Sequence, residues 1–351
     1  MIENDLARYS RQMVLPGVGR SGQARLASAH VAILGLGALG SAMAESLARA
    51  GVGSLRLIDR DYLELHNLQR QSLYTEADVA AALPKAVAAA AHLREINSSL
   101  ALEPLVLDVT AETIREITAE TDLVLDATDN FAARYLLNDA SVETGRPWIY
   151  SAVLGTSGML MTVQPGRTAC LRCVFPEPPA AGSAPTCETA GVLEPAVAVV
   201  AGLASAAALQ LLLGQDPPPG LLALDVWNGE FDRIGDGALD PACPACGLRR
   251  FDFLGGGARA ALTGTQLCGR QTVQVRLAGG HMDLPALAAR WRAAGYGNVL
   301  ANDYLVRLLL PPADGQPDAT ELTLFPDGRA IVKGTEDPAA ARSLVARYVG
   351  Y

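Results

Sequence analysis

A glycine-rich turn between a buried strand and a helix constrains this chain more than any other feature. The apolar run His30–Leu34 leads into the sequence GLGALG, a helical stretch follows, and a second apolar run ends in Asp59, 19 residues after the last glycine. The glycines of the turn are Gly35, Gly37 and Gly40. Such a turn lets backbone N–H groups approach a phosphate at a helix N-terminus, and the later acid can accept hydrogen bonds from ribose hydroxyls. The order of these features predicts a nucleotide-binding unit, whereas glycines used only for packing are the simpler alternative.

Strands and helices continue to alternate after this unit. Helices are predicted over 85–96 and 131–142, and strands near 102–107, 123–126 and 148–150. Strands that alternate with helices indicate a parallel sheet covered on both faces. The fold class predicted is therefore α/β, with a Rossmann-like, doubly wound, mainly parallel sheet.

The pattern changes near residue 157, where short strands typical of an antiparallel sheet begin. A Pro, Gly and Ser-rich stretch over 175–185 predicts a loop, and three consecutive glycines at 255–257 predict a linker. We therefore expect a first domain over 1–254, with halves at about 1–150 and 151–254, and a small α+β domain over 262–351.

Charge and apolar content exclude several classes of protein. Half of the 351 residues are apolar, 19% are charged, and the net charge is −9. This composition argues against a disordered chain and against a surface that binds nucleic acid or anionic lipid. The first residues lack the pattern of a signal peptide, so a cytoplasmic location is expected. The apolar stretch 195–214 has the length of a membrane span, but its Ala-rich composition favours a core or subunit-interface helix.

Two CxxC pairs separated by 69 residues indicate a metal site. The four cysteines are Cys170, Cys173, Cys243 and Cys246. Two such pairs supply the four thiolates of a structural zinc tetrahedron, and a redox pair is the alternative. A fifth cysteine, Cys187, follows the predicted loop.

Residues after Asp59 favour chemistry at phosphates. They comprise the sequence NLQRQ over 67–71, then Lys85, then DATDN over 126–130. Two cations and a pair of acids around a nucleotide suit charge stabilisation at phosphates better than hydride transfer. An NAD-dependent oxidoreductase remains the alternative at this point.

Together these motifs resemble the ThiF/MoeB/HesA family of adenylyltransferases, which are related to ubiquitin-activating enzymes. The similarity covers about residues 5–250. It includes RYSRQ (8–12), GLGALG (35–40), AGVGSLRLIDRD (50–61), NLQRQ, DATDN, the CxxC pairs and TCETAGV (186–192). The segments 267–274 and 325–335 are similar to an extension found on some ThiF-type members.

The resemblance implies a reaction and its partner. The C-terminal Gly-Gly carboxylate of a ubiquitin-fold sulfur-carrier protein, bound by the 151–254 half, would attack the α-phosphate of ATP and release pyrophosphate. By position in the family motifs, Arg70 and Lys85 would bind phosphate, Asp129 would hold Mg²⁺, and Asp59 would bind ribose. Asn67 and Gln71 would orient the phosphates, and Arg11 would reach the active site of the neighbouring subunit in a homodimer.

Cys187 matches a family thiol that joins the carrier or relays sulfur, although some relatives activate their carrier without it. The resemblance also implies a separate sulfur donor, such as a cysteine desulfurase or a rhodanese. The pathway stays open among thiamin, molybdenum cofactor, thiolated tRNA and cysteine. A catalytically silent scaffold subunit is a further alternative, against which the retained charged residues argue.

Overall fold

The structure is a computed structural model that describes residues 3–180, 183, 185–255, 272–277, 282–311 and 319–350. The chain divides into two compact units, Met1–Thr263 and Gly264–Tyr351. Parts of the predicted loop (181, 182 and 184), of the predicted linker (256 and 257) and of the extension motif (267–271) lie outside the described residues.

An eight-stranded sheet forms the centre of the first unit. Its strands are β1 (His30–Leu34), β2 (Ser54–Ile58), β3 (Ala101–Leu105), β4 (Leu123–Asp126), β5 (Trp148–Leu154), β6 (Ser157–Val163), β7 (Leu221–Asp225) and β8 (Glu230–Ile234). The spatial order is β3-β2-β1-β4-β5-β6-β7-β8. Pairing is parallel from β3 to β5 and antiparallel from β5 to β8. The predicted doubly wound sheet with an antiparallel half is therefore confirmed.

Helices connect these strands and cover the sheet. They are α1 (Glu3–Arg8), α2 (Ser10–Met13), α3 (Gly19–Ser28), α4 (Ala38–Ala50), α5 (Glu76–Ala80), α6 (Lys85–Ile96), α7 (Ile114–Thr118), α8 (Phe131–Thr144), α9 (Leu171–Val174), α10 (Cys187–Ala190) and α11 (Glu194–Leu212), with a short 3₁₀ turn at Leu65–Asn67. One buried cluster lies on the side of α4, α6 and α11, and a second joins α7, α8 and the cysteine region. Apolar residues on both faces of the sheet explain why its central strands are almost fully buried.

The order of the strands fixes where a ligand can bind. The chain leaves β1 for β2 and β3 on one side, then crosses to β4 on the other. In open parallel sheets, ligands bind beyond the carboxyl ends of the strands at such a reversal. The glycine turn after β1 and the DATDN loop after β4 therefore lie side by side, and the Ala127 N–H donates to the Leu34 carbonyl over 2.8 Å.

Helix α11 is the apolar segment whose length raised the question of a membrane span. Its mean hydropathy of 1.9 over 18 residues passes that test on length and composition, and 44% of this window is buried inside the structure. Its buried residues include Val197, Val200 and Ala204, which belong to the same apolar cluster as α4 and strand β1. These contacts are those of a core helix.

The second unit is an antiparallel sheet with two helices. Its elements are β9 (Thr272–Arg276), α12 (Leu284–Ala294), β10 (Asn298–Ala301), β11 (Val306–Leu309), β12 (Glu321–Leu324), β13 (Arg329–Lys333) and α13 (Pro338–Val349), and the strand order is β10-β11-β12-β13-β9. Trp291, Leu322 and Val345 are fully or almost fully buried in its separate core. This architecture agrees with the α+β fold expected for the end of the chain.

Candidate functional site

The three glycines of the turn differ in how much room the surrounding structure leaves for a side chain. Gly35 has a φ of +89°, and a Cβ there would lie 2.8 Å from the Ala127 carbonyl oxygen. A Cβ on Gly40 would lie 1.8 Å from the Gly35 oxygen, so α4 can start this close to β1 only without a side chain. At Gly37 a Cβ would meet only Gln71 Nε2, at 3.7 Å. The first and third glycines are required by the fold, while the space over Gly37 is open.

Asp59, the residue after β2, holds the glycine turn in place through its carboxylate. Its Oδ2 accepts a 2.6 Å hydrogen bond from the Leu36 N–H, and its Oδ1 accepts a 2.7 Å bond from the Asp61 N–H. The side chain is buried, and burial raises its pKa although the charge of Lys85 opposes the rise. The carboxylate therefore links the glycine turn to the loop after β2, and each oxygen keeps a lone pair for another donor.

Lys85 is the first residue of α6 and is also buried, with 6% of its surface exposed. Its Nζ donates to Asp61 Oδ2 over 3.1 Å, and its N–H donates to the Asp61 carbonyl over 2.9 Å. Burial by itself lowers the pKa of Lys85, but the carboxylates of Asp61 and Asp59 outweigh it, and the net pKa is raised. Lys85 therefore carries a positive charge at neutral pH, beside the glycine turn.

The segment between β2 and α5 presents polar groups to the same turn. Asn67 is buried and its Oδ1 accepts from the Glu64 N–H, so its side chain shapes the loop. Gln71 is buried, and its Oε1 has no hydrogen-bond partner among the described residues. Arg70 is half-buried, with Nη1 donating to the His66 carbonyl. Gln71 therefore keeps hydrogen-bonding capacity next to the open space over Gly37.

Asp129 lies in the DATDN loop across the cleft. Its side chain is exposed and forms no hydrogen bond or ion pair to the parts of the chain that are described. Its charge nevertheless contributes to the raised pKa of Lys85. For Arg60, burial lowers the pKa, but the charges of Asp61, Asp108 and Asp129 outweigh burial and the net pKa is raised. Asp129 is therefore within electrostatic reach of Lys85 although 44 positions separate them in the sequence.

Cys187 begins α10, after a capping box formed by Thr186 and Thr189. Burial raises the pKa of this thiol, and so does the charge of Asp129, while Arg70 and Arg134 oppose the rise. Two of the residues that act on Cys187, Asp129 and Arg70, are themselves phosphate-site candidates. Cys187 is thus within electrostatic reach of Asp129 and Arg70, and its raised pKa keeps the thiol protonated at neutral pH.

Arg11 lies elsewhere. It is exposed on α2, next to Gln12, whose Nε2 donates to the Ala50 carbonyl at the C-terminal end of α4. The glycine turn is at the other end of that 13-residue helix, which spans about 20 Å. Arg11 is therefore separated from the cleft of its own chain by the length of α4.

The two CxxC pairs converge as their spacing predicts. Their four Sγ atoms all lie within 4.8 Å of one another, with distances of 3.6 Å for Cys170–Cys243 and 3.3 Å for Cys173–Cys246. Ligands about 2.3 Å from a tetrahedral zinc ion would lie about 3.8 Å apart. The cluster has the donor set and size to hold a metal ion, and Asn138 Nδ2 contacts Cys170 Sγ at 3.7 Å.

Four residues that shape the cleft are not among those expected from the sequence patterns. They are Arg60, Asp61, Tyr74 and Arg134. The Tyr74 hydroxyl is buried and donates to the Leu36 carbonyl over 2.7 Å, so it fixes the glycine turn from a second side. Arg60 and Asp61 could have been noticed from the DRD sequence (59–61) that directly follows β2. The other two are recognisable only from contacts between distant parts of the chain.

Replacing Lys85 with Ala should destabilise the protein in a pH-dependent manner. The change removes the cation that opposes the charge of buried Asp59 and leaves Asp61 with Arg60, at 3.9 Å, so we expect a loss of about 3 kcal/mol at pH 7 because one partner of a mostly buried ion pair is removed. The raised pKa of Asp59 means that its ionised form is disfavoured in the fold. Protonation on acidification relieves this penalty, so the difference from wild type should shrink between pH 7 and pH 5. Urea denaturation at both pH values measures it, and a difference that grows on acidification would contradict the account.

Comparison with known proteins identifies the family of this chain. The model of the ThiF family matches residues 9–245. The sulfur carrier protein ThiS adenylyltransferase of Bacillus subtilis (strain 168) is 44% identical over 347 residues, covering 98% of this chain and 99% of that protein. The sulfur carrier protein adenylyltransferase of Thermus thermophilus is 40% identical over 70% of this chain and 92% of its own length.

A solved structure supports the fold independently. Escherichia coli MccB, crystallised with ATP, superposes with a TM-score of 0.60 at 23% identity, over 68% of this chain and 74% of that one. The family match spans more than half of the chain, and the Bacillus relative is similar along nearly all of it. On this evidence the protein is a member of the ThiF family.

Proposed function

We propose that this protein uses ATP to adenylylate the C-terminal Gly-Gly carboxylate of a ubiquitin-fold sulfur-carrier protein. The curated relatives are named as adenylyltransferases of sulfur carriers. The observation that carries the proposal for this chain is the position of buried Lys85 beside Asp59, which holds the glycine turn, within electrostatic reach of Asp129; Asp129 and Arg70 both act in turn on Cys187. A pocket for chemistry at phosphates needs this combination of cations with an accessible carboxylate.

The cleft fits an adenine nucleotide in three respects. Among the described residues only Gln71 Nε2 comes within 4 Å of the Cβ position of Gly37, which leaves room for a phosphate near the N-terminus of α4. The buried Oε1 of Gln71 accepts no hydrogen bond from the described residues, so a hydroxyl or amino group of a nucleotide would supply the missing donor. Asp59 keeps acceptor capacity for ribose hydroxyls at the end of β2. These features support ATP as the bound nucleotide.

The reaction needs cations and no general base, because the attacking carboxylate is already an anion. Arg70 and Lys85 would neutralise the α-phosphate and the leaving pyrophosphate while the two negative groups approach. Lys85 is held by Asp61, so it is ordered before ATP binds and would then exchange part of this contact for phosphate oxygens. Asn67 would orient the phosphates indirectly, through the loop that it shapes. Asp129 would hold Mg²⁺, which supplies further charge neutralisation at the phosphates.

Arg11 would serve the active site of a second copy of the chain. It is exposed and lies about one helix length from its own cleft. In a two-fold symmetric homodimer, each N-terminal segment can reach the partner's site while the partner's segment reaches back. Its place in the fold supports a role across the dimer.

Cys187 would act after adenylylation, by joining the carrier or relaying sulfur from a separate donor such as a cysteine desulfurase or a rhodanese. The protonated thiol of the free enzyme would need activation in that step. Thiamin synthesis is the pathway suggested by the Bacillus relative, and molybdenum cofactor synthesis is the alternative. None of the five described cysteines forms a disulfide.

Substitution of Lys85 or Asp129 by Ala should reduce carrier-dependent ATP–pyrophosphate exchange by about 100-fold or more, since each removes a charge from the reacting phosphates. Arg167→Ala is the matched control, because Arg167 is exposed and pairs with Asp216 away from the cleft. Exchange is measured with a carrier ending in Gly-Gly. Wild-type exchange in either variant would exclude the proposed roles, and nicotinamide reduction without any exchange would favour an oxidoreductase.

Zinc should copurify at about one ion per chain and hold the cysteine region together. Cys173→Ser should lose the metal and lower the unfolding temperature, whereas Cys187→Ser should keep both at wild-type values. Elemental analysis and thermal unfolding give the two readouts. Metal-free protein with four titratable thiols in the cluster would contradict the structural zinc site.

A mixture of two inactive variants should regain activity if Arg11 acts across a dimer. Arg11→Ala and Lys85→Ala are each expected to be inactive, but their heterodimer contains one site with both residues intact. After subunit exchange, about a quarter of wild-type exchange activity should return. No recovery, in protein shown by light scattering to be dimeric, would mean that Arg11 acts in its own chain, and wild-type activity of Arg11→Ala alone would mean that it has no role.

A further inference from the structure

Arg134, on α8, is the charged residue of the cleft to which neither the family motifs nor the sequence pattern gave a role. We infer that Arg134 is a positioning residue for Asp129: its guanidinium fixes the peptide group that precedes Asp129 and so sets where the exposed carboxylate meets Mg·ATP. This inference rests on the proposed function, since it concerns the same site.

The guanidinium of Arg134 joins three parts of the chain. The side chain is buried, with 7% of the residue exposed. Its Nη2 donates to the Thr128 carbonyl over 2.5 Å and to the Ser151 carbonyl over 3.4 Å, and its Nε lies 3.2 Å from Asp126 Oδ2. One group thus links the end of β4, the DATDN loop and β5.

The Thr128 carbonyl belongs to the peptide bond between Thr128 and Asp129. Its hydrogen bond from Arg134 therefore orients the loop backbone at Asp129, the proposed Mg²⁺ ligand. Asp126 Oδ1 accepts from the Thr128 N–H and hydroxyl on one side of the loop. Asn130 caps α8 on the other side by accepting from the Ala132 N–H. Asp129, between these anchors, has no side-chain contact of its own to the described residues.

A purely stabilising role explains these contacts less well. A buried ion pair contributes little net stability compared with apolar residues of similar volume, because both charges lose their hydration. Burial raises the pKa of Asp126 even with Arg134 beside it, which shows that this desolvation is only partly offset. What the pair does provide is a planar group with several donors in fixed directions. A lysine could keep the charge near Asp126 but could not hold Thr128 and Ser151 in the same geometry.

The test compares Arg134→Lys, Asp129→Asn and their double variant in the full-length chain. Binding of a non-hydrolysable ATP analogue is measured by calorimetry with Mg²⁺ and with EDTA. We expect Arg134→Lys to weaken binding about tenfold with Mg²⁺, as loss of an outer-shell partner does, and to leave binding in EDTA unchanged. The double variant should bind no more weakly than Asp129→Asn, because both changes act on one carboxylate. Arg146→Lys is the control: Arg146 donates to the Thr121 carbonyl at the opposite end of β4.

Three results would overturn the inference. They are wild-type Mg²⁺ dependence in Arg134→Lys, equal weakening with and without Mg²⁺, and additive effects in the double variant. If Arg134→Lys does not fold, Arg134→Gln keeps an amide donor for Thr128, and failure of both variants to fold would assign Arg134 to the fold alone. A wild-type protein that binds the analogue but shows no carrier-dependent exchange would refute the proposed function and leave this inference standing.

Discussion

The two hydrogen bonds accepted by the Asp59 carboxylate join two segments that form the cleft. One comes from the glycine turn after β1 and the other from the loop after β2. Burying this carboxylate is unfavourable, as its raised pKa shows, and the neighbouring Lys85 reduces the cost. The same lysine is the cation expected to meet phosphate. The carboxylate that stabilises the turn therefore also attracts the cation that we propose for phosphate binding.

Ion pairs between oppositely charged side chains order the cleft before any ligand binds. Lys85 is paired with Asp61, and Arg134 is held under the DATDN loop. Among the described residues, the groups expected to meet the ligand directly, such as Asp129 and the amide of Gln71, keep free capacity. Preorganised charges of this kind need little rearrangement when negative charge develops on a phosphate. The arrangement favours catalysis by charge placement over catalysis by proton transfer.

Local patterns predicted much of the architecture and part of the site. Strand–turn–helix order located Gly35, Gly40 and Asp59, because steric limits on a tight turn depend on adjacent residues. The CxxC pairs predicted the sulfur cluster, since each pair is a self-contained turn. The partners of these groups could not be predicted in this way. Tyr74 and Arg134 act through contacts that no periodicity encodes, and the distance of Arg11 from its own cleft emerges only when α4 is placed in the fold.

Isotope transfer from ATP tests the central claim most directly. The protein is incubated with a Gly-Gly-ended carrier and ATP labelled either at the α-phosphate or at the γ-phosphate. The account predicts that α-label becomes bound to the carrier in a linkage cleaved by hydroxylamine, while γ-label is released as pyrophosphate. Label on the carrier from the γ-phosphate, or release of inorganic phosphate with no label on the carrier, would contradict it.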